Sequence, residues 1–187
     1  DVAPSRGLGD VYKRQLYKPM PGYRFIASNT DRSKYYVGEL NGRSSKQAYM
    51  DALHISESNI INQTFHNPIG KMNGQDICII SLKEVSGNGL CCYRQVNDSD
   101  VLVLLEEQDY NEILDETLQR IRRDFNHISG VFSINCVFRY LLFSQEHHME
   151  DYLKTMSTLG DHAGLIGFGE HYNQQFVNQT MTCVVFE

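Results

Sequence analysis

The sequence contains no tryptophan, only four prolines and no long apolar run. A membrane-spanning helix needs about 20 consecutive, mainly apolar residues, so the sequence predicts no membrane partner. No secretory signal is visible at its start. The 17 basic residues are outnumbered by 23 acidic residues, which gives a formal net charge of −6. Because nucleic-acid-binding domains usually present a basic face, this balance also argues against a nucleic-acid partner.

The cysteines form no C-x-x-C pair, which argues against a zinc ribbon, and their odd number argues against a disulfide scaffold. Most of them lie in apolar, strand-like sequence, where a reduced cysteine behaves as a small buried apolar residue. We therefore expect a cytoplasmic protein. The cysteines are Cys78, Cys91, Cys92, Cys136 and Cys183.

The first fifteen residues contain two glycines, scattered charges and no sustained periodicity. They resemble a translated sequencing adapter, so residues 1–15 are predicted to be non-native and are left out of the fold prediction. On this interpretation the native sequence begins near Leu16, and the natural protein extends further upstream. The alternative is a native N-terminus that is disordered.

Short segments typical of strands open the rest of the sequence, at residues 23–28 and 34–40. The Ser-Ser-Lys-Gln sequence at residues 44–47 predicts a capping box at the start of a helix. A second short helix is expected over residues 56–65, and Pro68 ends it because proline cannot continue a helix.

Three further strands are expected at residues 76–85, 90–96 and 101–105. The Ser-Gly-Asn-Gly sequence at residues 86–89 is a strong hairpin signal. Since tight turns join these three segments, we predict an antiparallel meander.

The clearest amphipathic pattern covers residues 110–128, where apolar residues recur at spacings of three and four. A strand over residues 131–136 follows, and then helical sequence with Ser144 as a candidate N-cap. Two closing strands are expected at residues 164–170 and 176–186. The predicted fold class is therefore α+β, a layered and mostly antiparallel sheet with helices packed against it.

A strand-to-helix corner is predicted at the Asn-Cys-Val-Phe-Arg sequence of residues 135–139. Backbone N–H groups at the start of a helix favour anions, and the Arg139 guanidinium offers a planar pair of donors suited to a carboxylate. The corner is thus a candidate binding site. The alternative is that Cys136 packs in the core and Arg139 pairs locally.

Three glycines alternate with apolar residues at residues 164–169, directly before Glu170 and His171. No helix is predicted after them, so this is not a phosphate-binding loop. Glycine within a strand is typical of a bulge, or of close approach by a ligand or another backbone. The two interpretations are a ligand contact that includes Glu170 and a tight crossing of the sheet.

Two adjacent histidines, His147 and His148, are spaced to share helix faces with Glu150 and Asp151. Two-ligand metal faces have this pattern. However, acidic residues near a helix start also complement the helix dipole, and no third ligand is evident, so we predict no metal.

These motifs together resemble the FIST sensory family, and specifically its C-terminal FIST C domain, from about Tyr36 to Glu187. Residues 16–35 resemble the tail of the preceding FIST N domain. Val137 and Phe138 depart from the small residues that often separate Cys and Arg in the family's Cys-x-x-Arg corner. The resemblance rests on residues 37–42, the helix with Tyr49, and residues 66–70, 135–139, 167–170 and 178–180.

The resemblance implies a non-catalytic sensory domain of bacterial signal transduction, with residues 36–187 as the FIST C domain. The family is thought to bind small molecules such as amino acids, and some members bind haem and respond to nitric oxide. Its members are coupled to an output module such as a histidine kinase, a diguanylate cyclase or a chemotaxis receptor. The resemblance therefore implies a small-molecule ligand and partnership with a FIST N domain and such a module.

Arg139 is expected to bind a ligand carboxylate, and Glu170 to accept hydrogen bonds from an ammonium group. The polar members of the predicted site are far apart in the sequence, so they must surround a common cavity if they act together. The predicted ligand-binding residues are Cys136, Arg139, Gly169, Glu170 and Asn178.

Three alternatives remain open. A haem sensor would need an axial ligand, for which His66, His162 and His171 are candidates. An enzyme could use Cys136 as its nucleophile, although no motif in the sequence places an activating base beside it. An interaction domain would dock the meander edge or the long helix on a missing domain.

Overall fold

The computed structural model describes residues 11–74, 76–172 and 175–187. It divides into two compact units, one of residues 17–107 and the other of residues 108–187 together with residues 11–16. The α+β class predicted from the sequence is confirmed. Among the described residues, every helix is too short or too polar to span a bilayer.

The elements alternate between short strands and short helices along the chain. The strands are β1 (Val11–Gln15), β2 (Tyr17–Asp31), β3 (Tyr36–Leu40), β4 (Arg43–Ser44), β5 (Ile69–Asn73), β6 (Asp76–Ile80), β7 (Leu82–Ser86), β8 (Gly89–Cys92), β9 (Val101–Glu107), β10 (Gly130–Cys136), β11 (Asp161–Gly167), β12 (Glu170–Tyr172), β13 (Gln175–Val177) and β14 (Thr180–Phe186). The α-helices are α1 (Ser45–Leu53), α2 (Ile60–Gln63), α3 (Tyr110–Asp124), α4 (Val137–Gln145) and α5 (Met149–Met156).

The first unit contains an antiparallel sheet of order β6-β5-β9-β2-β3-β8-β7, with β4 paired to β3. The helix α1 begins after Ser44, whose hydroxyl accepts a hydrogen bond from the Gln47 backbone N–H at 3.2 Å. The N-cap predicted for this helix is thus confirmed, although the Gln47 side chain bonds Asp51 rather than reaching back. Tyr49 buries its ring in the core of this unit.

The predicted meander is wrong, although its hairpin between β7 and β8 is confirmed. Strand β9 pairs with β2 and β5, and not with β8. Residues 102–105 of β9 are all buried, and a continuous buried run of this kind is typical of a strand inside a sheet rather than of the edge strand that would end a meander. The predicted break at Pro68 leads directly into a strand, β5, that we did not expect.

The second unit contains a four-stranded sheet of order β1-β14-β10-β11, and β12 and β13 form a separate hairpin. The segment at residues 11–15 that we set aside is the edge strand β1. Strands β10 and β11 are parallel, so the chain between them must cross over, and it does so through α4 and α5. The domain boundary that we predict after residue 35 stays a prediction.

The helical segments of this unit differ from the expected ones at their ends. Helix α3 ends at Asp124, because Phe125 adopts an extended conformation. Ser144 does not cap a helix. It lies within α4, and its hydroxyl donates to the carbonyl oxygen of Tyr140 at 2.8 Å. The crossover is thus two short helices rather than one.

Asp109 is the N-cap of α3, and replacing it with alanine is expected to cost about 1 kcal/mol of unfolding free energy. Its carboxylate accepts hydrogen bonds from the backbone N–H groups of Asn111 at 2.9 Å and Glu112 at 3.1 Å. Asp115→Ala, which removes an exposed carboxylate from the same helix, is the matched control. Urea unfolding of both variants measures the difference, and equal costs would contradict a capping role.

Candidate functional site

A buried polar cluster lies where β10 ends and α4 begins. Cys136 is the last residue of β10 and the N-cap of α4, and Arg139 lies in the first turn of that helix. Their exposed fractions are 1% and 2%. The sequence predicted this strand-to-helix corner, and the structure confirms it.

Glu170 reaches the cluster from the following strand. The parallel register pairs Cys136 with Gly167, so the end of β11 lies beside the corner. Gly169 then adopts a positive φ of 141°, a conformation that favours glycine and reverses the chain into β12. Glu170, the first residue of β12, is only 2% exposed. Its Oε2 accepts a hydrogen bond from the Thr180 hydroxyl at 2.7 Å.

The electrostatics of the cluster favour the neutral forms of both acids. Burial raises the pKa of Glu170 to about 7, and the opposing effects of Thr180, Cys136 and Arg139 are smaller. Burial and the nearby Glu170 also raise the pKa of the Cys136 thiol, although backbone N–H groups of Gln179, Phe138 and Arg139 act in the other direction. A thiol with a raised pKa is a poor nucleophile at neutral pH, because the thiolate is the reactive form.

Arg139 packs its guanidinium on two aromatic rings. Its central carbon lies 4.7 Å from the centroid of the Phe143 ring and 5.7 Å from that of Tyr152. Arg139 and Phe143 are four residues apart on α4, so they share one face of the helix. These cation–π contacts hold the guanidinium plane in place.

A chain of buried hydrogen bonds runs along β10 behind the cluster. The Tyr152 hydroxyl accepts from Asn135 Nδ2 at 2.9 Å and lies 3.2 Å from the Ser133 hydroxyl. Ser133 in turn lies 2.9 Å from His162 Nε2. Burial lowers the pKa of His162, so its imidazole is neutral near pH 7. Tyr152 is the centre of this chain.

Buried acceptor oxygens without a hydrogen-bond partner in the described part of the chain include Asn135 Oδ1 and Glu170 Oε1. A buried acceptor without a donor costs free energy, typically about 1–3 kcal/mol. Both atoms belong to residues at the end of β10 or beside it. Either atom can accept a hydrogen bond from a donor such as an ammonium group.

The structure brings Cys136, Arg139 and Glu170 together, as the sequence predicted, and Gly169 makes the approach of Glu170 possible. Asn178 is buried in the turn between β13 and β14. It precedes Gln179, whose backbone N–H faces the Cys136 thiol. That these residues bind a ligand stays a prediction.

The two haem-ligand candidates whose side chains are described each have a hydrogen-bonding contact. His66, in the first unit, has Nδ1 2.6 Å from Glu107 Oε1, and His162 has Nε2 2.9 Å from the Ser133 hydroxyl. The side chain of His171 lies outside the described residues. Haem binding by this chain stays a hypothesis.

The histidine pair before α5, whose spacing to acidic residues resembles a two-ligand metal face, is explained in part by packing. The His148 ring packs edge-on against Phe143, with ring centroids 4.9 Å apart. Across the described ranges, no three His, Cys, Asp or Glu side chains converge as a metal site would require.

An open cleft of about 300 Å³ lies at the opposite end of β10 from the cluster. It is lined by Gly130, Val131, Phe132, Asp161, His162, Ala163 and Phe186. A groove of about 200 Å³ in the first unit is lined by Tyr23, Phe25, Leu40, Asn41, Arg43, Ala48, Asp51 and Ala52. Neither the cleft nor the groove was predicted from the sequence.

Ser133 was not predicted from the sequence as part of the site, and Asn135 was included only as the first residue of the corner at residues 135–139. These two residues are two positions apart in a strand that is otherwise apolar, and so they share one face of it. That period-two pattern of polar residues in a buried strand was the available signal. Thr180 lies in the 178–180 segment that contributes to the family resemblance, but nothing in the sequence pairs it with Glu170, because the two meet only through the tertiary fold.

Comparison with protein families gives one match, to the FIST C domain, over residues 46–173. Searches of curated proteins and of solved structures each found no match. The matched segment is more than half of the chain and includes the corner at residues 135–139 as well as Glu170. The chain therefore belongs to the FIST C domain family.

Proposed function

We propose that this chain is the ligand-recognition domain of a bacterial signal-transduction protein, and that the cluster at the end of β10 binds an amino acid. Membership of the FIST C family is consistent with a sensory role. The observation that carries the proposal is a buried arginine close to a buried carboxyl group whose Oε1 has no partner in the described residues.

The chemistry of the cluster matches the two ends of an amino acid. The Arg139 guanidinium can donate two parallel hydrogen bonds to a carboxylate. Glu170 Oε1 and Asn135 Oδ1 can accept from an ammonium group. A positive ammonium beside Glu170 would lower its pKa, so binding near pH 7 is expected to release a proton from this carboxyl.

The cluster is closed in this structure, since Arg139 and Glu170 are each 2% exposed. A ligand therefore reaches them in a more open conformation and favours the conformation that encloses it. Such unequal binding to two conformations is how a ligand shifts their populations. In the natural protein, we propose that a FIST N domain and an output module respond to that shift.

Arg139→Ala is expected to weaken amino-acid binding at least about tenfold, because it removes the donors to the carboxylate. Calorimetric titration with a panel of amino acids identifies the ligand and measures its affinity. The best ligand is then compared with its analogues that lack the amine or the carboxylate. Each analogue should bind more weakly than the parent.

Arg123→Ala is the control, since this arginine lies on the exposed face of α3. Titration in buffers of different ionisation enthalpy measures the proton release expected from Glu170. The proposal fails if no amino acid binds, or if Arg139→Ala and Arg123→Ala have equal effects on the affinity.

A further inference from the structure

Strand β11 is an edge of its sheet. It pairs in parallel with β10 on one side, and no described strand pairs with its other side. The backbone N–H and C=O groups along that side are a template on which another strand can pair.

Both faces of this edge are open to solvent. Leu165 and Ile166 are neighbours in the strand, so their side chains point to opposite faces of the sheet. Both are nevertheless exposed, Leu165 by 60% and Ile166 by 47%. Phe168, just beyond the strand, is 91% exposed. Large apolar side chains this exposed, side by side along an edge, are typical of interaction surfaces.

The edge also lacks the features that normally prevent pairing. Natural edge strands carry lysine, proline, charged residues or bulges. Asp161 at the start of β11 is the one charged residue of residues 161–169, and residues 162–169 contain no Lys, Arg, Asp, Glu or Pro. All seven residues of β11 keep their register with β10, so no bulge interrupts the strand. The protein as a whole carries −6, so this neutral segment is a place where two copies approach without direct repulsion of like charges.

We infer that β11 pairs antiparallel with β11 of a second copy of this chain, which joins the two four-stranded sheets into one. A two-fold axis normal to the sheet relates two antiparallel edge strands, and such an axis passes between two copies of the same residue. The inference is independent of the proposed ligand and concerns a different part of the unit.

The sequence of the edge is self-complementary in size. With the axis at Leu165, the pairs across the junction are Leu165 with Leu165 and Ile166 with Gly164. With the axis at Ile166, they are Leu165 with Gly167 and Phe168 with Gly164. Either register places large side chains opposite glycines, which have room for them, and aromatic residues opposite glycine stabilise strand pairs. A second copy therefore fits this edge in shape as well as in charge.

Sedimentation equilibrium over a series of concentrations tests the inference. The wild-type chain is expected to reach twice its mass of 21.5 kDa. Leu165→Lys places two positive charges directly opposite each other with the axis at Leu165, and at diagonally neighbouring positions with the axis at Ile166. It is therefore expected to raise the dimer dissociation constant at least about tenfold. Ile26→Lys is the matched control, because Ile26 is 56% exposed on β2, a strand with partners on both edges.

Hydrogen exchange of the wild-type chain supplies a second test that needs no variant. Protection of the outward-facing amides of β11 should rise with protein concentration, while that of β10 should not change. A wild-type chain that stays monomeric overturns the inference, as does a dimer weakened equally by both variants. If Leu165→Lys fails to fold, the wild-type measurement decides. Hydrogen exchange in wild-type β11 that does not change with protein concentration would overturn the inference.

Discussion

Replacing Glu170 with glutamine is expected to remove about 3 kcal/mol of pH dependence from the free energy of unfolding. Burial raises the pKa of Glu170 from 4.5 to about 7, and one pKa unit corresponds to about 1.4 kcal/mol. The folded chain thus keeps this carboxyl protonated at pH values where the unfolded chain has released the proton. As the pH rises from about 4.5 through about 7, the wild-type protein loses that stabilisation, whereas Glu170→Gln does not.

Other groups in this unit also affect how the free energy of unfolding depends on pH. The Arg139 charge and the Thr180 hydroxyl favour the carboxylate, and the Cys136 thiol also lies against it. His162 acts in the opposite sense, because burial lowers its pKa and acid therefore favours the unfolded chain. The difference between wild type and Glu170→Gln at each pH isolates the contribution of Glu170.

Urea unfolding from about pH 5 to about pH 8 measures the effect. Glu150→Gln is the control, since Glu150 is an exposed residue of α5 paired with Lys154. Its variant should keep the wild-type decline in stability with rising pH. An equal decline for wild type and Glu170→Gln would show that Glu170 titrates normally in the folded protein.

Tyr152→Ala is expected to cost about 4 kcal/mol of unfolding free energy, because truncating a fully buried aromatic ring leaves a cavity. Tyr152 is 1% exposed and packs against Phe143, with ring centroids 5.7 Å apart. The substitution also removes one of the two rings under the Arg139 guanidinium. The variant should therefore be among the least stable single substitutions in this unit.

Tyr152→Phe separates the hydroxyl from the ring. It keeps the packing but leaves Asn135 Nδ2 without its acceptor, at an expected cost of about 2 kcal/mol. Tyr140→Phe, on the more exposed face of α4, is the control and should change stability by less than about 0.5 kcal/mol. Urea unfolding measures all three variants. A Tyr152→Phe protein as stable as wild type would mean that the hydrogen-bond chain along β10 contributes nothing to stability.

The sequence predicted local structure well wherever one element determines it. The cap at Ser44 and the hairpin between β7 and β8 depend on short-range hydrogen bonds and turn geometry. The strand-to-helix corner at Cys136 was visible for the same reason. Each of these signals is complete within a few neighbouring residues.

Strand order was less predictable, because it depends on contacts between distant residues. The turns before β9 are typical of a meander, yet the burial of residues 102–105 places that strand between β2 and β5. Nothing near β9 in the sequence identifies those partners. Likewise, residues 164–169 were interpreted from the sequence as a ligand contact or a tight crossing of the sheet, and only the strand order shows that β11 is an edge.

The candidate site was predictable in part. The proximity of Cys136, Arg139 and Glu170 was inferred from motifs, and the structure brings them together. The position of the Tyr152 hydroxyl at the centre of the hydrogen-bond chain was not predicted from the sequence. The pKa of Glu170 could not be foreseen either, because it results from burial that the sequence does not show.

The position of β14 has a consequence for how this unit folds. The strand lies inside the sheet, between β1 and β10, and both of these partners are far from it in the sequence. Pairing between segments that are distant in the sequence is slow, because a long loop must close before the contacts form. We therefore expect the docking of β14 to be a late step in the folding of this unit, and the hydrogen bond from Thr180 to Glu170 to form with it. Removing β14 would open the middle of the sheet rather than shorten its edge.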